Sequence, residues 1–388
     1  DTSANYMDGG AEVFIGQTLE KLFRQQKLKR EDVVLVSKAG YMQGKTLAAW
    51  HKTPPPEVVP CADTMWHCIH PDFLHKEFDN TLNRLGVSGL DVYLLHNPEY
   101  YLVHAVENGT PLAQAQTEFY RRIQNAFAYL ETLCQQGRLQ YYGVSANTLV
   151  SPSDMPDHVD LARLFTAAQA AAKEVWGRNK RPMFRVAQMP YNLVETGAIT
   201  TVNTSHKEEP VSTLELATRL HLSVLINRPL NAFGADGTAY RLADCLAHGK
   251  QASALAPFIQ ALAEAEAPLS VNADENTDLP RLSTMAEPLA EQIQNSLHFD
   301  HLKTTALTPL LVQTVADSDL TEVQKNQFIE AFTGLMNALR DQAREKDAQT
   351  HAALKGEIYK RLPEAAQNLP FQQVALNALA STPGVTSV

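Results

Sequence analysis

The chain has 388 residues, of which 44% are hydrophobic and 20% charged, and its formal net charge is −10. It is long enough to bury a large core, as one big domain or two smaller ones. Its 43 acidic and 33 basic residues argue against a nucleic acid or an anionic membrane as the main partner. Small molecules are the expected partners, and the composition favours no particular oligomeric state.

The sequence also bears on location and on metal binding. No apolar run approaches the roughly 20 residues that a membrane helix needs, and we find no signal peptide, so a cytoplasmic location is expected. The four cysteines, which fit neither a disulfide framework nor a paired C-x-x-C metal site, are Cys61, Cys68, Cys134 and Cys245. Cys61 and Cys68 could form a zinc site with His67 and His70. Their spacing is irregular and the flanking segment resembles a loop, so we predict no metal.

Apolar segments typical of strands alternate with helical patterns along residues 1–230. Apolar residues repeat about once per helical turn in segments 11–26, 71–86, 117–137, 161–177 and 212–221, which predicts helices there. Strands are predicted at 1–6 (DTSANY), 33–38 (VVLVSK), 90–96 (LDVYLLH), 139–147, 184–192 and 223–231. The segment LDVYLLH is almost continuously apolar, as a parallel strand buried on both faces should be.

Repeated strand–helix units predict an α/β fold with a parallel sheet covered by helices. Counting residues 1–6 as the tail of one strand gives six strands, two fewer than a (β/α)8 TIM barrel needs. From about 232 to 370 the chain is rich in Ala, Gln, Glu and Leu, which indicates amphipathic helices without a strand. Residues 371–388 return to a helix followed by a strand. We therefore expect a single domain over 1–388 with a helical insertion at 232–370.

Three predicted strands end in polar residues that a buried strand would not normally contain. They are Tyr6, Lys38 and His96. Alone, Lys38 is typical of a solvated strand end and His96 of a core histidine. Together, a phenol, an ammonium and an imidazole at successive strand ends can deliver a proton to a carbonyl group.

Several motifs occur in an order that matches a known family. They are DTSANY, SKAGY, DVYLLHNPE, GRLQYYGVSAN, AQMPYN, NRPLN and STPGVTSV. Together they resemble the aldo-keto reductases over residues 1 to about 230 and again from about 370. The resemblance implies a (β/α)8 barrel that binds NADP or NAD at the carboxyl ends of its strands and reduces an aldehyde or ketone to an alcohol, or the reverse. Such barrels lack the glycine-rich Rossmann fingerprint, and this sequence has none either.

The resemblance assigns catalytic roles at the strand ends. Tyr6 would be the general acid, Lys38 would lower the pKa of its phenol from about 10, and Asp1 would hold Lys38 charged and oriented. His96 would donate or relay a hydrogen bond to the carbonyl oxygen.

The resemblance also implies a set of cofactor contacts. Ser145 and Gln188 would bind the nicotinamide carboxamide. The position after Ser145 is Ala146, where many relatives have Asn, and Asn147 follows one residue later. Either Asn147 takes over that contact through a changed turn, or the contact is lost.

The motif NRPLN departs from the family where the cofactor is gripped. Relatives usually carry an aromatic ring that stacks on the nicotinamide, then Ser-Pro-Leu, whose backbone cradles the pyrophosphate. This chain has Asn227, Arg228, Pro229 and Leu230 there. Asn227 cannot stack as a ring does, while Arg228 could meet a phosphate directly.

The substrate pocket is expected at the same end of the barrel, rimmed by the loop 39–70 and the segment after His96. Asn97, Trp66 and Tyr101 are the candidate substrate contacts, and loop aromatics are equally typical of packing anchors. In relatives further strands precede Asp1 and follow the last residues, so we expect a barrel incomplete at both termini.

Two alternative functions stay open. In the first, Lys38 is the Schiff-base lysine of an aldolase-like barrel. In the second, the chain is a non-catalytic binding or structural protein that keeps the reductase fold, because the carboxamide and stacking positions are altered.

Overall fold

The computed structural model describes residues 1–177, 180–234, 237–244, 252–271 and 281–388. Cys245 therefore lies outside the described residues. The chain divides into two compact units. The first unit consists of residues 1–229 and 378–388, and the second of residues 230–377.

Among the described residues, the strands are short and are distributed over four sheets. In chain order they are β1 (Val36–Ala39), β2 (Tyr41–Met42), β3 (Val59–Ala62), β4 (Met65–His67), β5 (Leu90–His96), β6 (Leu139–Ser145), β7 (Phe184–Pro190), β8 (Val202–His206), β9 (Glu209–Ser212), β10 (Ser223–Asn227), β11 (Asn231–Phe233) and β12 (Ala239–Arg241).

The helices vary more in length. They are α1 (Gly10–Arg24), α2 (Gly44–Trp50), α3 (Pro71–Leu85), α4 (Tyr100–Glu107), α5 (Leu112–Gln135), α6 (Leu161–Trp176), α7 (Gly197–Thr200), α8 (Thr213–Arg219), α9 (Ala256–Glu266), α10 (Leu282–Gln292), α11 (Ser296–Leu302), α12 (Thr308–Ala316), α13 (Glu322–Arg361) and α14 (Phe371–Ala380). Single 3-10 turns occur at Tyr6–Gly9, Arg30–Asp32, Asn147–Val150, Ala267–Val271 and Glu364–Ala366. A π-helical turn at Lys303–Leu307 joins α11 to α12.

A parallel sheet of five strands, in the order β1-β5-β6-β7-β10, forms the centre of the first unit. Strands that are consecutive in this series of strand–helix units lie side by side, as the alternating pattern predicts. At Gly143 on β6 an added Cβ would lie 1.9 Å from the carbonyl oxygen of Val186, so this close approach of β6 and β7 requires glycine. The predicted parallel α/β sheet is confirmed.

Five of the six predicted strands are confirmed, and the first is wrong. Residues 1–3 have no regular structure and Tyr6 begins a 3-10 turn. The segment nevertheless follows β1, because the backbone N–H groups of Thr2 and Ala4 donate to the carbonyl oxygens of Val36 and Lys38. At the opposite edge a single parallel bridge joins Ser387 to β10 at Leu225. Within the described residues the sheet does not close into a barrel.

Helices α3, α5 and α6 supply much of the apolar core of this unit. The fully buried aromatic side chains include Phe73, Phe78, Phe119, Phe127, Tyr142 and Phe184. Helix α3 begins at a proline and ends at Gly86, whose φ of +66° is the left-handed conformation that glycine tolerates. The helix predicted over 71–86 is therefore confirmed with its caps.

A buried ionic cluster connects α1 to α3. The Arg84 guanidinium donates from Nε to Glu12 Oε2 (2.6 Å) and from Nη2 to Glu77 Oε1 (2.5 Å), and the hydroxyl of Ser37 on β1 also donates to Glu12. Both carboxylates are at most 1% exposed, so Arg84 balances two charges that water does not reach.

Two small antiparallel sheets lie in segments where the sequence predicts no strand. In the expected connection 39–70, β2, β4 and β3 pair in that order, and β8 pairs with β9 between β7 and α8. These strands have two to five residues each, too few for an alternating pattern to stand out.

The second unit is mainly helical, as its composition predicts. The 40-residue helix α13 begins with a capping box of Thr321 and Gln324. A separate apolar core includes Leu262, Phe299, Phe328, Phe332, Leu335 and Leu339. The prediction of no strand in this region is wrong, because β11 and β12 form an antiparallel hairpin of two three-residue strands.

Candidate active site

The polar residues singled out in the sequence lie at corresponding positions of the sheet. His96 at the end of β5 is in register with Ser145 at the end of β6, which in turn is in register with Gln188 on β7. Lys38, near the end of β1, pairs with Leu94 two residues before His96. The parallel strands thus bring these four side chains to the carboxyl-terminal end of the sheet.

A chain of hydrogen bonds links side chains at these strand ends. Lys38 Nζ donates to Asp1 Oδ1 at 2.6 Å, Gln188 Nε2 donates to Asp1 Oδ2 at 3.0 Å, and Ser145 Oγ donates to Gln188 Oε1 at 2.9 Å. Lys38 and Ser145 are 1% exposed and Gln188 is 3% exposed. Asp1 therefore connects the two groups of residues that the sequence separates into catalytic and cofactor-binding sets.

Tyr6 lies beside Lys38 and His96. Lys38 Nζ is 5.4 Å from the centroid of the Tyr6 ring, and the Tyr6 and His96 rings meet edge to face with their centroids 6.0 Å apart. Tyr6 is 40% exposed, and the partial burial of its phenol raises the pKa of that group, opposite to the shift expected from Lys38. The ammonium is paired with Asp1, whose carboxylate offsets the positive charge that would lower this pKa.

Burial lowers the pKa of Lys38 to about 7, because the ammonium loses its hydration. The carboxylate of Asp1, 2.6 Å away, favours the charged form and opposes that effect. Burial, helped by the nearby charges of Lys38 and His67, lowers the pKa of His96 to about 3. His96 is consequently a neutral imidazole near pH 7, able to donate from one ring nitrogen only.

A residue that the sequence reasoning missed orients His96. Ser3, which is fully buried, places Oγ 3.0 Å from His96 Nδ1 and 2.6 Å from the Asn5 side-chain oxygen. The Ser3 hydroxyl donates to the Asn5 oxygen, and its contact with Nδ1 fixes the orientation of the His96 ring. The only sequence signal for Ser3 is its place inside the motif DTSANY.

The turn after β6 brings Asn147 to Asn227. Asn147 opens a 3-10 turn, and its side-chain oxygen lies 3.4 Å from Nδ2 of Asn227, the last residue of β10. Among the described residues, the buried Oδ1 of Asn227 has no hydrogen-bond partner. The two amides and the hydroxyl of Ser145 offer both donors and acceptors, so they fit a carboxamide.

Arg228 follows β10 in a left-handed conformation, with a φ of +53°. Its guanidinium pairs with Glu195 Oε1 at 2.5 Å, and its carbonyl oxygen accepts from Asn192 Nδ2 at 3.2 Å. Pro229 ends the segment 1–229 of the first unit. Leu230 belongs to the second unit, where its carbonyl oxygen accepts from the N–H of Leu242.

The expected substrate residues differ in their surroundings. Trp66 on β4 stacks on His51, with ring centroids 5.5 Å apart. Asn97 is 6% exposed and adopts a φ of +51°, while its N–H donates to the Ser145 carbonyl at 2.7 Å. The Arg122 guanidinium lies 4.0 Å above the Tyr101 ring.

Tyr41 packs against His96, and Tyr100 packs against Tyr41. The Tyr41 ring packs edge-on against His96 with centroids 4.8 Å apart, and its hydroxyl is 3.5 Å from that of Tyr100. His67 also faces this pair, and its Nε2 lies 2.7 Å from the carbonyl oxygen of His96. Tyr41 appears in the motif SKAGY, but nothing in the sequence places it beside the site.

In the described part of the chain, no group of three or more His, Cys, Asp or Glu side chains is arranged to hold a metal ion. Cys61 and Cys68, the pair weighed for zinc, are free thiols whose pKa values burial raises to about 11 and about 12. No helix in the same residues has the length and apolar character needed to span a bilayer.

Comparisons with known proteins agree with the motifs. Aldose reductase B of Dictyostelium discoideum is 27% identical over 162 residues, which are 42% of each chain. The NADH-specific methylglyoxal reductase of Escherichia coli (strain K12) is 24% identical over 145 residues, 37% of this chain and 36% of that protein. The chain thus matches about two fifths of the length of these curated relatives.

Solved structures of aldo-keto reductases match less closely. One from Bacillus halodurans, in its holo form, is 17% identical with a TM-score of 0.35, and the match covers 85% of this chain and 81% of that one. One from Klebsiella pneumoniae, in complex with NADP and acetate, is 23% identical with a TM-score of 0.32, covering 59% and 52%. The model of the aldo/keto reductase family matches residues 1–209, more than half of the sequence. The chain belongs to the aldo/keto reductase family.

Proposed function

We propose that this chain is an NAD(P)-dependent oxidoreductase that reduces a small aldehyde or ketone to an alcohol, or catalyses the reverse reaction. The observation that carries the proposal is the hydrogen-bond chain from Lys38 through Asp1 and Gln188 to Ser145. It connects the ammonium that would stabilise the Tyr6 phenolate to side chains that fit a nicotinamide carboxamide. Membership of the family and the reductase names of its relatives support the same reaction.

Ser145, Asn147, Gln188 and Asn227 would hold the carboxamide, because their amides and hydroxyl complement its donors and acceptors. When bound, the nicotinamide supplies or accepts the hydride at the carbonyl carbon. Arg228, Pro229 and Leu230 remain the proposed contacts of the pyrophosphate. Arg228 already pairs with Glu195, so a phosphate would have to share this guanidinium.

Tyr6 donates its phenolic proton to the carbonyl oxygen in this mechanism, and the resulting phenolate is stabilised by the Lys38 ammonium. Asp1 keeps that ammonium charged and oriented. His96 is neutral and its ring is oriented by Ser3 at Nδ1. The tautomer protonated at Nε2 would donate to the same carbonyl oxygen and fix its angle of approach. Asn97, Trp66 and Tyr101 remain the proposed substrate contacts, joined by Tyr41 and Tyr100.

We also propose that the sheet is part of a (β/α)8 barrel with the helical segment 232–370 inserted into it. Two observations support this. Residues 2–4 continue the sheet beyond β1, and Ser387 continues it beyond β10.

The proposal is tested by titrating the protein with NADH and with NADPH and following the quenching of its tryptophan fluorescence. Saturable binding of at least one of them below millimolar concentration is the expected result. If neither binds at millimolar concentration, the reductase function is excluded. A non-catalytic protein that binds the cofactor is then excluded as well.

One observation favours the Schiff-base alternative, which is that burial lowers the pKa of Lys38 to about 7, toward the neutral amine that attacks a carbonyl. Against it, Lys38 is 1% exposed and paired with Asp1. After treatment with borohydride and a carbonyl compound, peptide mass spectrometry should find Lys38 unmodified. A reduced adduct on Lys38 would establish the alternative.

The pKa of Lys38 also predicts a pH dependence. Because the ammonium is the form that stabilises the phenolate, kcat/KM for reduction should hold below pH 7 and fall as the pH rises above about 7. The variant Lys38→Met should be slower at every pH and lack this descending limb. A wild-type rate that stays constant to pH 9 would remove Lys38 from this role.

A further inference from the structure

Glu99 is a buried carboxyl group next to the candidate site that the proposed mechanism leaves unused. It follows His96, Asn97 and Pro98 and immediately precedes α4. The side chain makes no hydrogen bond to the N-terminus of that helix, although this is where a carboxylate often caps a helix. Glu99 is 5% exposed, so its position must be explained by other contacts.

One carboxyl oxygen of Glu99 holds the turn after β6. Oε1 accepts a hydrogen bond of 2.9 Å from the backbone N–H of Asn147. The rest of that turn is tied down from other elements, since the carbonyl oxygen of Leu149 accepts from Asn203 Nδ2 (2.8 Å) and Thr213 Oγ1 (2.6 Å). Glu99 therefore anchors the first residue of the turn, whose side chain reaches Asn227.

The second carboxyl oxygen, Oε2, is buried and has no hydrogen-bond partner among the described residues. Such an arrangement is costly for a charged group, and burial raises the pKa of Glu99 to about 7, against the effect of backbone N–H groups that include those of Asn147 and Thr148. A side chain kept in so unfavourable a place solely for packing would be better replaced by an apolar one.

We propose that Glu99 is a positioning residue for nicotinamide binding, which acts by fixing the turn that presents Asn147 and Asn227 to the carboxamide. This inference rests on the proposed function. Because Ala146 stands where many relatives have Asn, the sequence leaves open whether Asn147 contacts the carboxamide instead. In this proposal Asn147 does so through a changed turn, and Glu99 selects that turn. Glu99 anchors the N–H of Asn147, and the Asn147 side chain in turn lies beside Asn227. The Oδ1 of Asn227, which has no partner among the described residues, is then held in place for the carboxamide.

The test compares NADH and NADPH affinities of Glu99→Ala, Glu99→Gln and wild type by fluorescence titration at pH 7, with thermal unfolding of each protein. Removing the acceptor leaves the Asn147 N–H unpaired, so Glu99→Ala should weaken binding by about tenfold. Glu99→Gln keeps an acceptor oxygen in place and should stay within about twofold of wild type. Glu99→Asp, too short to reach Asn147, should resemble Glu99→Ala and decides the matter if the alanine variant does not fold.

A matched control separates positioning from general stability. Glu131 is another fully buried carboxylate, and the hydrogen bonds it accepts among the described residues come from Tyr142, Trp176 and the N–H of Met183, none of them a proposed site residue. Glu131→Gln should lower the melting temperature without changing cofactor affinity. If wild type binds and Glu99→Ala and Glu99→Asp bind equally well, this inference alone is overturned. If wild type binds neither nucleotide, the proposed function fails together with it.

Discussion

Replacing Tyr6 by phenylalanine should lower kcat for carbonyl reduction by about 10²–10⁴-fold, the usual contribution of a positioned general acid. The substitution removes only the hydroxyl, and the ring can keep its edge-to-face contact with His96 and its place beside Lys38. Affinity for NADH or NADPH should therefore stay within a few-fold of wild type. Steady-state kinetics with a panel of small aldehydes, together with fluorescence titration of the cofactor, measures both quantities.

Tyr41→Phe is the matched control for this prediction. It also removes a phenol from a ring that packs against His96, but that hydroxyl faces Tyr100. Its kcat should fall by less than about tenfold, because no proton transfer depends on it in the proposed mechanism. Turnover of Tyr6→Phe at the wild-type rate would exclude Tyr6 as the proton donor.

Replacing Arg84 by methionine should lower the free energy of unfolding by about 3–5 kcal/mol at pH 7, since it leaves two buried carboxylates without their partner. Glu12 and Glu77 are almost inaccessible to water, and Arg84 donates to both. Burial already raises the pKa of Glu77 in the presence of Arg84, and without it the pKa should rise further. Urea unfolding at several pH values measures the effect.

The loss of stability in Arg84→Met should depend on pH. A carboxyl group whose pKa is higher in the folded than in the unfolded protein costs stability as the pH rises through that interval. The deficit of Arg84→Met should therefore be smaller at pH 5 than at pH 8. Arg30→Met, which breaks the partly exposed pair with Asp91, should cost no more than about 1 kcal/mol. Equal decreases in the free energy of unfolding for the two variants would show that the buried cluster stabilises the fold no more than a partly exposed ion pair does.

The strands of the parallel sheet could be predicted because each is a short apolar run buried on both faces, and LDVYLLH matches β5 residue for residue. The segment DTSANY could not be assigned correctly. It has the hydrogen bonds of a strand at Thr2 and Ala4, but the chain then turns, with Met7 and Asp8 at positive φ. The short antiparallel strands were missed because their pairing depends on partners distant in the sequence.

The candidate site was partly predictable for a similar reason. Lys38, Ser145 and Gln188 lie near equivalent strand positions, and hydrogen bonds join them to one another and to Asp1. Glu99 could not be found from the sequence, since its function depends on reaching a turn 48 residues away. The direction of the Tyr6 pKa shift was also wrong, because the sequence does not reveal how burial and the charge of Asp1 offset Lys38.

Hydride transfer itself is the most direct measurement of the central claim. The protein should be incubated with reduced nicotinamide cofactor that carries deuterium at both hydrogen positions of C4 and with a panel of small aldehydes, and the products analysed by mass spectrometry. The account predicts an alcohol that carries one deuterium on the former carbonyl carbon, formed by wild type and nearly absent with Tyr6→Phe. Cofactor that binds but delivers no deuterium to any aldehyde or ketone would contradict it.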